Sequence, residues 1–465
     1  MSAITTEDLS LVTFRPDQMR WGVLASFVVV SISNALMWIS FSPIVDEVEP
    51  YFGITAQEVD LLSMVYLITF SSIVFLSCKL YENLGLKRGM EIGAGLNCVG
   101  ICVKIMAVVF WRNKVPLFIG QWFNALTQIL VIATPPAIAA EWFPQSERTV
   151  ANALMTSSLN VGIALGMLLP TLLVSPEKQG MKNFLSLFGL EGAVAAIGFF
   201  MTVFCFPHHP KSPPSHSAAC RDNVESSDLT PQESTGRDAH ALNLFSTIQD
   251  SVNVVTGNFS FALLAAVTGG MYGIVWSIAT ILPQLLKPFG ITESEAGVMG
   301  FLNLSVGTIA APFVGIYVDR KRNYKPVLVW CTALCTLVLG AMTLVLRFSN
   351  GNCRVAAATA YVAWTLSGVC QNVALPVFFE LGVELTFPIR ETLTSNILLW
   401  TPSVVSIMLT LLYGEWLGQS PTASAGLSIL ATSTLICGVA SLLVLAIRPS
   451  TRRLHYETAE AAKVP

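Results

Sequence analysis

Along this chain, apolar residues collect in runs of about twenty, nearly free of charge and divided by short polar segments. A helix that crosses a bilayer needs roughly 20 mostly apolar residues. Twelve segments meet that requirement, near 20–43, 60–79, 90–111, 116–140, 150–173, 184–206, 258–286, 295–318, 326–347, 354–382, 394–414 and 424–447. Open sheets leave backbone groups unsatisfied in lipid, and the runs exceed the length of barrel strands, so the pattern predicts helices. One stretch departs from it. Residues 207–255, opening on PHHPKSPPSHSAACRDNVESSDLTPQESTGRD, are rich in Pro, Ser, His and charge. Such a composition buries too little apolar surface to fold alone. It predicts a disordered linker between a six-helix bundle over 20–206 and a second over 256–447 (256–257 being its lead-in), with tails at 1–19 and 448–465.

Composition supports the membrane reading. Of 465 residues, 53% are hydrophobic and 12% charged, against roughly 25% charged in soluble domains. The mean hydropathy is +0.63. A water-soluble enzyme is excluded, and a net charge of −3 without a basic stripe excludes a nucleic-acid partner. No nucleophile–base set, metal cluster or phosphate loop points to a membrane enzyme. Lys and Arg set the orientation. Most of the 26 fall on the side of the N-terminus, among them Arg15, Arg20, Lys87, Arg88, Arg148, Lys211, Arg320, Lys321, Arg322, Lys325, Arg390 and Arg448. The first loop on the other side, PIVDEVEPYFGITAQEVD, is purely acidic. Both termini and the linker are therefore expected in the cytoplasm. The N-terminal segment lacks the basic and apolar regions of a cleavable signal.

The two halves resemble each other. LYENLGLKRG (80–89) is echoed by IYVDRKRNYK (316–325), and EWFPQSERT (141–149) by ELTFPIRET (384–392). Same-direction repeats imply a pseudo-twofold axis along the membrane normal, the arrangement of the major facilitator carriers. Gly315-Ile-Tyr-Val-Asp319-Arg320-Lys321-Arg322 resembles the loop signature of those carriers, with Asn83 replacing the acid in the first-half copy. It reads either as a releasable latch or as a basic loop that only sets topology. Glu141, Glu147 and Arg148 in one half, with Glu380, Glu384, Arg390 and Glu391 in the other, form a second charged set. Cross-half ion pairs closing an inner gate would satisfy them, as would solvation at helix ends.

SNALMWISFSPI (33–44), DLLSMVYL (60–67), GLNCVG (95–100), EWFPQSERTVANAL (141–154) and FELGVELTFP (379–388) are similar to the solute carrier 49 family, the feline leukaemia virus subgroup C receptor-related proteins. WFPxxxRxxAN and the tail pair Arg452-Arg453 lean toward the third branch of that family. The resemblance implies a carrier of a small organic solute. Choline and ethanolamine transport, haem export and vitamin transport have each been attributed to different members. Trp38 and Trp276 stand at related places in the two halves and could sandwich a quaternary ammonium between aromatic faces. By resemblance Trp38 matches the cavity tryptophan of the choline carriers, Trp276 falls where they have a tyrosine, and Gln128 matches their fourth-span glutamine. Trp38 also fits an interfacial belt. The eleventh-span glutamine of those carriers is replaced by Ser403, which weakens the choline assignment. Asn34, Asn124, Gln371 and Asn372 read equally as ligands or as interhelical hydrogen bonds.

Lys104 and Glu191 are charges within spans, expected to form an ion pair or, more sharply, a proton-coupling pair. All five histidines lie in the linker or tail, so none can relay protons or ligate haem iron within a span. Cys98/Cys102 and Cys331/Cys335 are spaced for buried packing rather than zinc. The sequons at Asn258 and Asn303 fall at a span edge and within a span, and are discounted. The expectation is an all-α multi-pass membrane protein of two pseudo-symmetric six-helix bundles. It is a monomer without a cofactor, whose partners are the lipid bilayer and a small-molecule substrate. The leading reading is alternating-access uniport of a choline- or ethanolamine-like amine, with the plasma membrane favoured over an organelle. Haem or a pyridoxine-like vitamin, with or without proton coupling, is the alternative substrate class, and a non-transporting receptor or scaffold the alternative role.

Overall fold

Lipid hydrogen-bonds no backbone, so the apolar runs close their hydrogen bonds within themselves. The computed structural model describes residues 17–132, 134–174, 180–212, 244–321, 324–348, 353–386, 391–418 and 421–448, and no strand occurs among them. Twelve helices are long and apolar enough to cross a membrane. The first half comprises α1 (Arg20–Ile39), α2 (Val45–Phe52), α3 (Ala56–Met106), α4 (Lys114–Ile132), α5 (Pro135–Trp142), α6 (Gln145–Leu173) and α7 (Met181–Cys205). The second comprises α8 (Leu244–Gly257), α9 (Phe259–Leu286), α10 (Glu293–Lys321), α11 (Tyr324–Phe348), α12 (Cys353–Thr386), α13 (Glu391–Leu417) and α14 (Ala423–Ala446).

Local chemistry explains where the helices depart from the apolar runs. The run at 60–79 and the run at 90–111 join in α3, which kinks at Gly85 (φ 73°, ψ 166°), a backbone region that glycine enters without a Cβ penalty. The fourth run ends early, because Pro135 and Pro136 cannot donate to the preceding turn and instead open α5. The first run stops at Ile39, before a 3₁₀ turn over Ser42–Ile44 that carries Pro43. The third helix ends in a π turn over Ala107–Trp111, closed by Arg112 at φ 42°. Leu244–Gly257 is helical, so the segment expected to be disordered includes an ordered end; residues 213–243 lie outside the described residues.

The second half buries one continuous apolar core running from Val254 to Ile447. The first half buries two, one around Phe41, Phe184 and Phe188, the other around Phe27, Trp142 and Phe206. Between α3 and α4 the backbones nearly touch: a Cβ on Gly100 would lie 2.6 Å from the Gly120 carbonyl oxygen. Asp17 takes the Lys211 N–H (3.2 Å) and Ser260 takes the Arg448 N–H (3.4 Å); twelve spans lie between residues 17 and 448, which puts both on what we call the proximal face. The opposite face, with loops near residues 40–55 and 287–292, is the distal face. Cys331 and Cys335 are buried as expected, but Cys98 is only partly buried and Cys102 is exposed, lying on the side of α3 away from buried Ile101 and Lys104.

Candidate solute cavity

The last turn of α1 places Trp38 at the seam between the halves. Its Nε1 donates to the Ser63 carbonyl of α3 (3.0 Å), and its ring stacks on Tyr66 at 5.9 Å and 17°. Trp276 of α9 meets Trp38 edge-on at 6.4 Å and 80°, and Tyr272 continues the row at 6.2 Å from Trp276. Four aromatic rings thus cross from the first half to the second. Tyr66 and Tyr272 are buried, and their hydroxyls are spent on the Asn34 and Gln371 carbonyls (3.4 and 2.6 Å). Beside the row lies a small cavity, lined from one half by Trp38, Leu67 and Met167 and from the other by Trp276, Trp364 and Gln371. No charged side chain is among its lining residues. Such a chamber suits a solute held by aromatic faces and a few polar groups.

The cavity is closed toward the distal face by contacts between the halves. Ser42 Oγ donates to the Thr280 carbonyl (2.5 Å), and Gln284 Nε2 to Asp60 Oδ1 (2.9 Å). Farther out, Gln57 reaches the Gly414 carbonyl (3.2 Å), Lys287 pairs with Asp46, and the Asp46 N–H meets Glu293 Oε1 at 2.9 Å. Nearer the proximal side, Trp400 Nε1 donates to the Ser71 carbonyl (2.9 Å) and Asn160 Nδ2 to Asn372 Oδ1 (2.9 Å).

Several residues expected in the site are elsewhere. Trp38 and Trp276 do come together, but in edge-to-face contact, so no slot for a sandwiched cation lies between them in this state. Asn34 and Asn124 are structural. Asn34 Nδ2 donates to Asn97 Oδ1 (3.1 Å) and the Asn124 carbonyl (2.7 Å), while Asn124 Nδ2 donates to the Asn97 carbonyl (2.9 Å). The close α3–α4 approach at Gly100 presses the Asn124 amide against α3, where its nitrogen is bonded while its Oδ1 has no partner among the described residues. Gln128 is buried on α4 and is not among the lining residues. Ser403 spends its hydroxyl on the Leu399 carbonyl (2.8 Å). Gln371 does line the cavity.

The charged sets also differ from expectation. Lys104 and Glu191 are both buried, but the Lys104 ammonium bonds Gln121 Oε1 (2.9 Å) and lies over Phe41 and Phe188 at 5.6 and 5.9 Å. Neither Glu191 oxygen has a hydrogen-bond partner among the described residues. Glu147 pairs with Arg20 (3.0 Å) and Glu141 lies 3.5 Å from His209, contacts within the first half and its adjoining segment. Glu384 is buried at the proximal end of α12. The side chains of Arg148, Asp319, Arg320 and Glu391, and all of Arg322 and Arg390, lie outside the described residues.

The helical fold matches that of known proteins. The family model of the Major Facilitator Superfamily matches residues 27–274, more than half of the chain. The chain belongs to the major facilitator superfamily. It is 28% identical to the choline/ethanolamine transporter FLVCR1 of Felis catus over 85% of this chain and 67% of that protein. Solute carrier family 49 member A3 of Xenopus tropicalis is 28% identical over 89% of this chain and 80% of that one. The human choline/ethanolamine transporter FLVCR2 is 27% identical over 98% and 82%. Among solved structures, a D-xylose–proton symporter superimposes with a TM-score of 0.67 at 12% identity, covering 93% of this chain and 98% of its own. At that identity the likeness concerns the fold. The chain is a multi-pass integral membrane protein.

The sequence reading missed Tyr66, Tyr272, Asn303 and Trp364 at or beside the cavity, and the whole distal closure. One signal for the closure was present, since the acidic first loop needs a cation and Lys287 begins the matching loop of the second half. The cavity residues gave none, as each looks like an ordinary span residue until packing shows which way it points.

Proposed function

We propose that the chain carries a choline- or ethanolamine-like amine across the membrane by alternating access between its two halves. The aromatic row Tyr66–Trp38–Trp276–Tyr272 at the seam carries this reading. The similarity to transporters named for those solutes supports it. A quaternary or primary ammonium binds aromatic faces without a counter-charge, and no carboxylate lines the cavity. Trp38 and Trp276 hold the solute when they part from their edge contact, and Gln371 supplies a polar contact. Facilitated uniport follows, since no ionisable group meets the solute. By the distribution of Lys and Arg, the proximal face is cytoplasmic and the distal face outside, so the distal contacts close the outer side in this state. The proximal charged loops then form the gate that closes in the opposite state.

The test is uptake of labelled choline and ethanolamine into cells expressing the chain, normalised to the amount at the surface. Each cation–π contact is worth about 0.5–2 kcal/mol, so Trp38→Ala and Trp276→Ala should each weaken apparent affinity roughly two- to thirtyfold. Equal uptake by the wild type and both variants would remove the aromatic site. A receptor or scaffold without transport predicts no uptake above untransfected cells.

A further inference from the structure

The distal seam carries a chemistry that the aromatic row does not use. Glu293 opens α10 and Glu47 lies in the first turn of α2, so the two belong to opposite halves. Capping explains why Glu293 is free to cross the seam. Thr292 Oγ1 accepts the Glu295 N–H (3.3 Å) and Glu295 Oε2 accepts the Thr292 N–H (2.8 Å), the reciprocal box of a helix start. Glu293 is left over. Its Oε1 accepts the Asp46 N–H (2.9 Å), one of the donors that the start of α2 leaves unpaired. Its carboxyl also makes a hydrogen-bonding contact with the carboxyl of Glu47.

Two carboxylates in contact repel each other unless one carries a proton. Glu47 is more than nine-tenths buried, and its Oε2 receives no hydrogen bond from any described residue. The charges around the pair do not neutralise it. Lys287 is matched by Asp46, and Glu295 is spent on its cap. Glu49 adds another acid from α2, and Asp60 faces it from α3 while holding Gln284. Arg112 lies over the Tyr51 ring at 5.5 Å, and the turn Ser42–Ile44 brings no charge. Burial pushes the Glu49 carboxyl up from its ordinary range, so the neighbourhood favours neutral acids. No three acids gather with the spacing of a metal site among the described residues, which favours a proton over a metal ion.

We propose that Glu47 and Glu293 share one proton across the seam, so that closing the distal face takes up a proton and acid on that side holds it shut. This rests on the alternating access proposed above, which requires the halves to part at the distal face. When they part, both carboxyls meet water and ionise in the ordinary range, roughly pH 4.3. When they meet, the closed state keeps a proton that the open state has lost. The closed-to-open ratio therefore rises as pH falls, by up to about tenfold per unit while the open-state acids stay ionised. The proton comes from the distal side and returns to it, so it regulates the cycle without travelling with the solute.

Electron–electron distance measurements between spin labels at Val115 and Ala423 read that ratio without any solute. Both residues are exposed at distal helix starts, one in each half. The full chain is held in lipid nanodiscs, with its accessible cysteines replaced by serine. Lowering the pH from about 8 to about 6 should raise the short-distance population over the long one by up to about a hundredfold. Glu293→Gln keeps the contact, because its amide donates to Glu47 at any pH, and should hold the face closed without pH dependence. Glu293→Ala should favour the open face and also lose the dependence, whereas Glu49→Gln should keep the wild-type slope. A wild-type ratio that does not move with pH, or a slope undiminished in both Glu293 variants, would overturn the shared proton. A single distance in every chain at every pH would overturn the parting of the halves, and the proton with it.

Discussion

Lys104 shows how a single residue ties a buried charge to the cavity. Its ammonium bonds Gln121 Oε1, and Gln121 Nε2 in turn donates to the Met37 and Trp38 carbonyls at 3.1 and 3.4 Å. Those carbonyls belong to the last turn of α1, where the helix leaves its acceptors unsatisfied and its dipole is negative. The cation therefore sits where α1 ends, one bond removed from the backbone of the cavity tryptophan. Glu191 shares the pocket, buried with neither oxygen hydrogen-bonded among the described residues. Removing one member of a buried charge pair costs about 3–5 kcal/mol, because the other is left uncompensated. Lys104→Met should lower the melting temperature of the purified chain clearly, and the double variant with Glu191→Gln should recover most of the loss. A Lys104→Met melting curve that overlays the wild type would show that the charge is not needed there.

At the scale of elements, the helix packing is set by small residues at defined places. A Cβ on Gly100 would lie 2.5 Å from Asn124 Nδ2, which is bonded to Asn97, and 2.6 Å from the Gly120 carbonyl oxygen. Gly100→Ala should destabilise by about 1–3 kcal/mol, the usual cost of overpacking. Gly192→Ala on α7 makes the contrast. Its Cβ would find its nearest neighbour, Ile101, at 3.6 Å, an ordinary contact, so alanine's better helix propensity should leave stability unchanged or slightly raised. Thermal unfolding of both variants checks the pair. The helices themselves were legible in the sequence, because lipid imposes one rule on every span and the chain obeys it in plain runs. The break at Pro135 was written there too, yet the apolar run across it hid the break. The roles of Asn34 and Asn124 were not legible, since an amide in a span looks the same whether it meets a solute or the neighbouring helix. Only the α3–α4 distance at Gly100 decides between them.

Across the whole molecule, the state is defined by where the halves touch. Asp60–Gln284, Ser42–Thr280 and Asp46–Lys287 join residues more than two hundred positions apart, and no local pattern announces such partners. Both members of the outermost pair are about half exposed, and exposed pairs contribute about 0–1 kcal/mol, so Lys287→Ala alone should change uptake by less than about fivefold. Tying the same two positions together is a different matter. With cysteines at Asp46 and Lys287, a short cleavable thiol cross-linker should stop uptake, and cleaving it should restore uptake. Full cross-linking with undiminished uptake would mean that the distal contacts need not open for transport.

The aromatic seam and the moving halves make one central claim, that the chain itself carries a choline-like amine in both directions. Counterflow tests it most directly. Purified chain in liposomes loaded with unlabelled choline should transiently accumulate labelled choline from outside, and Trp38→Ala and Trp276→Ala should strongly reduce the overshoot. No accumulation by the wild-type chain above that of protein-free liposomes would contradict the claim.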